Sequence, residues 1–312
     1  PAPTATLSPT ASPSPGTLTV APTALNLHPS QTQTVTVTNA NGPITAQTDT
    51  PAITASVDQA SRTVAVSASP QTGRAVVTIT DSSGASVQVP VRVAFDAGVI
   101  PSAITLRVTG NPIDTTWLQA QVQKAIAKSI QVQPGAALQA PSFTLPSLFT
   151  PGSVAAIPVS VNIAGGAQYF DVVNAPLNVN LQNVDASPFA PPFLFYDDDP
   201  ERITGDGILY QNQVTAENPT SLYYYHENTN NQHQLFVVFG STSGPATVQL
   251  IDASAGPNID VLSVGHAVSR DFLVQKPRNE GIVVDITPQT PFVADQFLPN
   301  RLDGAAGTIG IR

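Results

Sequence analysis

The sequence predicts an all-β protein made of two sandwich domains, the second larger than the first and carrying one α-helix over about 114–130. Three observations lead there. Short segments alternate small polar with β-branched or apolar residues, the period of a half-buried strand. Turn-forming clusters such as "NANGP", "SPQTG" and "DSSG" separate them at the spacing of antiparallel sandwiches. A single stretch shows clear helical periodicity instead.

Residues 1–16, "PAPTATLSPTASPSPG", contain five prolines and little that can be buried, so they read as an extended tail. From residue 17 to about 95 the strands are "TLTV", "ALNL", "QTVTVT", "TVAVSA", "AVVTIT" and "VQVPVRVAF". The order of these pieces, with "GRAVVTITDSSG" before a final "VQVPVRV", resembles the bacterial immunoglobulin-like domains of surface proteins. That resemblance covers about 80 residues and implies a sandwich used as a spacer, adhesin stalk or assembly module.

The larger domain is expected over 96–312. Its helix is "DTTWLQAQVQKAIAKSI", in which Leu118, Val122, Ile126 and Ile130 recur at i+4, with Trp117 and Ala125 beside them. Asp114 is placed to cap the N-terminus, and "QPG" at 133–135 ends the element. Strands follow in "IPVSVNI", "LNVNLQNV", "SLYYYHE", "QLFVVFG", "ATVQLID" and "GIVVDIT", with Pro-rich joints such as "SPFAPPF" between them. The succession "DDPERITGDGILY", "YYHEN" and "GPNIDVLSVGH" resembles a β-rich domain of uncharacterised secreted bacterial proteins, over about 120 residues, and implies no particular activity.

Charge and composition narrow the function classes. Charged residues are 11% of the chain, against about 25% in an average domain. The surface is therefore largely neutral and polar, which favours close packing against other copies. The net charge is −9, with 12 basic residues in no cluster, which argues against nucleic-acid binding. Fourteen of the 21 acidic residues follow position 195. Cysteine is absent, which removes disulfides, thiolate metal sites and cysteine nucleophiles. Methionine is absent too, and with the Pro/Ser/Thr-rich start this leads to the expectation of an exported chain whose secretion signal has been removed. No run of 18 apolar residues is present, so no helical membrane span is expected.

Two clusters are candidate metal sites. Asp197, Asp198, Asp199, Glu201 and Asp206 offer oxygen ligands of the kind calcium takes, though without EF-hand spacing. The alternative is a solvated acidic turn in which Arg202 neutralises its neighbours. His226 and His233 flank the turn-forming run "TNN", where a hairpin would make them cross-strand neighbours, and His266 in "VGHA" could complete a transition-metal site. The alternative there is polar residues on a solvated sheet. Strand alternation sets Glu227 opposite His226, and Tyr224 opposite Tyr223 and Tyr225, so one tyrosine face is available to core and the other to stacking on a glycan. No "GxSxG" elbow, phosphate loop or separated carboxylate pair is present, and no catalytic residues are assigned.

The expectation from all this is a secreted, non-catalytic structural protein, a subunit of an extracellular filament or surface layer, self-associating through its N-terminal tail or its edge strands. Two alternatives stay open: a monomeric carbohydrate-binding or adhesin module, and a metal-binding protein or metalloenzyme built on the histidines.

Overall fold

The structure, a computed structural model, describes residues 17–199, 201–228, 234–258, 260–297 and 302–311. It is an all-β sandwich fold with two helices. In chain order the first eight strands are β1 (Thr19–Ala21), β2 (Leu25–Leu27), β3 (Thr32–Thr38), β4 (Ile44–Thr48), β5 (Ile53–Asp58), β6 (Thr63–Ala68), β7 (Gly73–Asp81) and β8 (Ser86–Val93). Then come β9 (Gly98–Val99), β10 (Ala103–Thr109), α1 (Thr115–Ser129), β11 (Gln131–Val132), β12 (Ala137–Leu138), β13 (Val154–Ala164), β14 (Val172–Asn183), β15 (Phe193–Asp197) and β16 (Arg202–Ile203). The last are β17 (Thr220–Asn228), β18 (Leu235–Phe239), β19 (Ala246–Asn258), α2 (Val261–Gln275), β20 (Gly281–Ile286), β21 (Phe292–Phe297) and β22 (Leu302–Ile311).

The chain divides into two compact units. Of the described residues, the first holds 17–99 together with Gln131–Gln139 and Asn162–Val173. Its eight leading strands form two four-stranded sheets, in the orders β1-β3-β6-β5 and β2-β8-β7-β4. Because side chains alternate along each strand, one residue in two points inward: Val35 and Val37 on β3, Val64 and Val66 on β6, Val77 and Ile79 on β7 are all nearly inaccessible. With Leu25, Leu27, Ile44 and Val89 they make one continuous core. The chain moves from one sheet to the other between β1 and β2, where Pro22 removes a ladder donor.

Two of the anticipated turns are held by side chains. In "DSSG" the Asp81 carboxylate accepts from the Ser83 hydroxyl and from the backbone N–H groups of Ser83, Ala85 and Asn41. Those bonds, the Ser83 hydroxyl first, keep its acidity stronger than that of an ordinary aspartate. In "NANGP", Gly42 adopts a φ of +76°, and a Cβ there would lie 2.2 Å from the Ser82 hydroxyl.

The second unit holds Ile100–Ile130, Ala140–Val161 and the chain from Asn174 onward. Its mixed sheet runs β13-β14-β10-β20-β19-β22-β17-β15, with β16 also pairing with β17. β10 lies parallel to β14, and β15 and β16 lie parallel to β17, whereas the other mapped pairs are antiparallel. A two-stranded ribbon, β18 with β21, packs on this sheet through Val237, Phe239, Ala294 and Phe292 against Val248, Leu250 and Ile286. Helix α1 forms where its periodicity places it: Leu118, Val122 and Ile126 are buried, and Asp114 accepts from the N–H groups of Thr116 and Trp117 at 2.9 and 3.1 Å.

Two expectations need correction. The larger domain carries a second helix, α2, over "VLSVGHAVSRDFLVQ". Asp260 caps it by accepting from Leu262 and Ser263, while Val264 and Val268, four apart, are buried. The expected hairpin between "SLYYYHE" and "QLFVVF" does not form either. β17 pairs with β15, β16 and β22, and β18 leaves that sheet to pair with β21.

A buried polar network ties one end of the second unit together. Gln249, wholly buried, donates to Thr109 Oγ1 and Asn279 Oδ1, each at 3.0 Å. Asn183 donates to the carbonyls of Gly110 and Phe149. Beside it Glu280, 1% exposed, accepts the backbone N–H of Asp114, and Arg278 stands 3.7 Å away. Burial pushes the Glu280 carboxyl above the ordinary glutamate range, a stronger influence than the Asp114 N–H and Arg278, which pull it down. The folded state therefore holds this proton more tightly than the unfolded chain. Stability from this group is full below the unfolded value, near 4.5, and is lost as pH rises through the folded value. Glu280→Gln is accordingly expected to raise the melting temperature at pH 7 and to change it much less at pH 4. Equal changes at both pH values would show that the carboxyl is not under this strain.

Candidate functional site

Strand β17 presents two faces, and each carries part of the candidate site. Its alternation turns Leu222, Tyr224 and His226 to one side and Tyr223, Tyr225 and Glu227 to the other. Tyr224 is 5% exposed and His226 1%. Beside them, parallel β15 brings Asp197 opposite Tyr224 in the ladder. The His226 imidazole donates from Nε2 to Asp197 Oδ2 at 3.2 Å, and both side chains are buried. The Tyr224 and His226 rings lie 6.5 Å apart and nearly parallel, at 22°.

This buried pair stands at a cavity of about 530 Å³. Strands β15, β17 and β18 form part of its wall, and the segment from Ile203 to Val214 forms much of the remainder. Phe195 and Tyr210, with ring centroids 5.9 Å apart, add aromatic surface. Asp197 and Asp206 line the cavity, and among the described residues no lysine or arginine does.

On the opposite face, Tyr223 stacks on Tyr196 of β15, with centroids 5.2 Å apart and ring planes 2° from parallel. Tyr196 is 58% exposed. Loss of hydration, and then the hydrogen bond to Asp198, raise its phenol above the ordinary tyrosine value. The sequence's separation of Tyr224 from its two neighbours is thus realised: Tyr224 is the core ring, and the stacking surface belongs to Tyr196 and Tyr223.

The five acidic candidates are dispersed. Asp197 turns to the cavity and His226, Asp198 bonds Tyr196, and Asp199, Glu201 and Asp206 are exposed. Strand alternation drives that separation, since consecutive residues at the end of β15 face opposite ways. Arg202 does not neutralise its sequence neighbours: its Nε donates to Glu227 Oε2 at 2.8 Å across the parallel β16–β17 pair. Of the histidines, His226 is buried beside Asp197, His266 is exposed on α2, and His233 lies outside the described residues. Among the described residues no three His, Asp or Glu side chains gather as a metal ion requires. The Asp197–His226 pair itself escaped the sequence reading. Its signal was available in "FLFYD", an apolar strand ending in an acid, but not the strand with which it would pair.

No family model and no curated protein matches the chain. Among solved structures it is similar to a tri-modular GH5 (subfamily 4) endo-β-1,4-glucanase from Bacillus licheniformis complexed with cellotetraose, at 16% identity and a TM-score of 0.22, over 53% of this chain and 38% of that one. It is also similar to the Yersinia pseudotuberculosis adhesin InvE, at 10% identity and a TM-score of 0.19, over 95% of this chain and 56% of that one. A third is the Bacteroides ovatus SGBP-B of a mixed-linkage glucan utilization locus, in complex with a mixed-linkage heptasaccharide, at 10% identity and a TM-score of 0.20, over 91% and 70%. The chain spans well under two thirds of the first two. Likeness at this level carries no argument, so a functional reading rests on this chain's own residues. Among the described residues no helix is long and apolar enough to cross a membrane.

Proposed function

We propose that this chain is a non-catalytic, extracellular structural module that joins copies of itself through the open edge of its large sheet. The observation that carries the reading is β15. It ends the strand order, so among the described residues no strand pairs with its outer side. An edge that must stay unpaired usually carries lysine, proline or a bulge. This one reads "FLFYD", with Phe193 51%, Leu194 69% and Tyr196 58% exposed and its only charge, Asp197, turned inward. Prolines 191 and 192 precede the strand without interrupting it.

A second copy's β15, laid antiparallel with Phe195 at the two-fold axis, would set each Leu194 against the partner's Tyr196. The Tyr223–Tyr196 stack would then continue across the junction, and both rows of exposed backbone groups would be satisfied. The low fraction of charged residues, 11%, leaves little repulsion to oppose that contact. A two-fold contact closes on itself, so growth into a filament or layer needs a second junction. The Pro-rich residues 1–16 are the candidate, as an extended segment suited to a groove on a neighbour.

The test is mass measurement of the purified chain across a range of concentrations, with electron microscopy of the same samples. The full chain should associate, deletion of residues 1–16 should stop growth at the dimer, and Leu194→Lys with Tyr196→Lys added to that deletion should give monomer. A full chain that stays monomeric at the highest concentration would refute the proposal. Glycan binding is a second reading, favoured by the exposed outer face of Tyr196. A glycan array with Tyr196→Ala tests it at that residue, since Tyr224 is buried.

A further inference from the structure

Residues 165–171 join β13 to β14 and belong to the first unit. This loop is closed on itself: the Asp171 carboxylate accepts the Gly165 N–H at 2.7 Å, and the Tyr169 N–H donates to the Gly165 carbonyl at 3.2 Å. A loop tied at its base moves as one body, so its motion depends on how that body is fastened. Phe170 supplies the fastening. Its N–H donates to the Phe95 carbonyl and its own carbonyl accepts from Ala97, each at 2.8 Å, in a short parallel contact with Asp96.

Two side chains meet the Phe170 ring, and they differ in their response to pH. The Arg92 guanidinium of β8 lies 4.9 Å from the ring centroid and donates to the carbonyls of Tyr169 at 2.7 Å and Ala167 at 3.3 Å. A guanidinium keeps its charge throughout, so this hold is permanent. His28, which follows β2, meets the ring edge to face at 5.5 Å, and its Nε2 bonds Asp96 Oδ1 at 3.0 Å. That hold titrates, because an imidazolium gives the carboxylate a charge-assisted bond that a neutral imidazole does not. The hydrogen bond with Asp96 raises the His28 imidazole above 6.5, outweighing the loss of hydration that lowers it. Among the described residues, the charged groups on the surrounding elements are Asp96, which bonds His28, Arg92 and Asp171, which bond the loop's backbone, and Arg74, which stands opposite Arg92 in the β7–β8 ladder.

We propose that His28 and Asp96 form an acid-tightened latch that sets how often the loop 165–171 leaves the sandwich of the first unit. Protonated His28 steadies both Asp96, to which Phe170 is bridged, and the Phe170 ring. Its contribution is present in full below 6.5 and is lost as pH rises through the folded value. Above that value the loop still rests on Arg92 and its backbone bonds, and it opens more often. The latch involves no residue of β15, so it does not rest on the self-association proposed above.

Hydrogen exchange of the Phe170 and Ala97 amides in the full chain tests this, at about pH 5.5 and about pH 8.5 and corrected for the intrinsic pH dependence of exchange. Opening should be roughly twofold to fivefold more frequent at the higher pH, the scale set by an exposed pair. His28→Gln and Asp96→Asn, both at exposed positions, should each hold opening near the alkaline level at both pH values. An NMR titration should place the parent His28 above 6.5, and lower in Asp96→Asn. Equal opening at the two pH values, more frequent opening in acid, a pH dependence that survives both substitutions, or a His28 titration at or below 6.5 would overturn the proposal.

Discussion

Replacing Ile79 with alanine is expected to destabilise the first unit by about 3 to 4 kcal/mol, within the range for emptying a fully packed aliphatic site. Ile79 has no accessible surface and sits on β7, between β8 and β4 in the sheet order. Its neighbours in the core are themselves strand residues held in ladders, such as Val77 opposite Val89 and Ile44 opposite Asp81. They cannot collapse into the space without breaking register, so the cavity cost adds to the lost transfer energy. The chain's single tryptophan, Trp117, lies in the second unit, so its fluorescence does not report this loss. Hydrogen exchange of the β7 and β8 amides does, and protection there should fall while Thr36→Ala, at an exposed position of β3, leaves it within about 0.5 kcal/mol of the parent. Similar protection in the two variants would mean that the sandwich core is not packed as described.

Asn279→Ala should cost the second unit about 3 kcal/mol, the sum of two effects of different origin. Asn279 follows the helical segment ending at Arg278, and its φ of 56° places it in the left-handed region. Alanine pays about 1 kcal/mol there. The side chain also accepts from Gln249 at 3.0 Å and donates to the Ala186 carbonyl at 2.7 Å, so its removal leaves buried polar groups short of a partner. Asn279→Gly separates the two contributions, because glycine adopts this φ freely yet makes neither bond. Urea unfolding followed by Trp117 fluorescence should place the glycine variant between the parent and alanine, about 1 kcal/mol above the latter. Coincident curves for alanine and glycine would remove the backbone contribution, and a loss under 1 kcal/mol for both would remove the network.

These two residues mark how far the sequence can be read. Ile79 belongs to "AVVTIT", and its burial follows from alternation within a single strand. The same local rule located β3, β6 and β8, the Asp81 turn, and helix α1 with its Asp114 cap. Nothing local marks Asn279, whose partners lie 30 and 93 positions away. Helix α2 was missed because valine at its first, fourth and eighth positions reads equally well as strand, and no acid stands in its first turn. Only its place along β19 and β22 decides the matter.

The candidate site divides the same way. Alternation along β17 by itself determined that Tyr224 and His226 share one face and Tyr223 the other, since a strand's side chains switch sides at every residue. Which strand lies beside that face was decided by tertiary structure. Asp197 meets His226 because β15 runs parallel to β17, and a parallel pair is joined by a long connection whose length does not set the register as a tight turn does. The expected hairpin failed for the same reason: turn residues between two strands permit a hairpin, but β18 pairs instead with β21, and the ribbon sets Val237, Phe239, Phe292 and Ala294 against the sheet. Composition and periodicity are properties of neighbouring residues, and they settled the fold class and the strand faces. The cavity and the open edge are properties of strand order, which only the packing of the whole unit specifies.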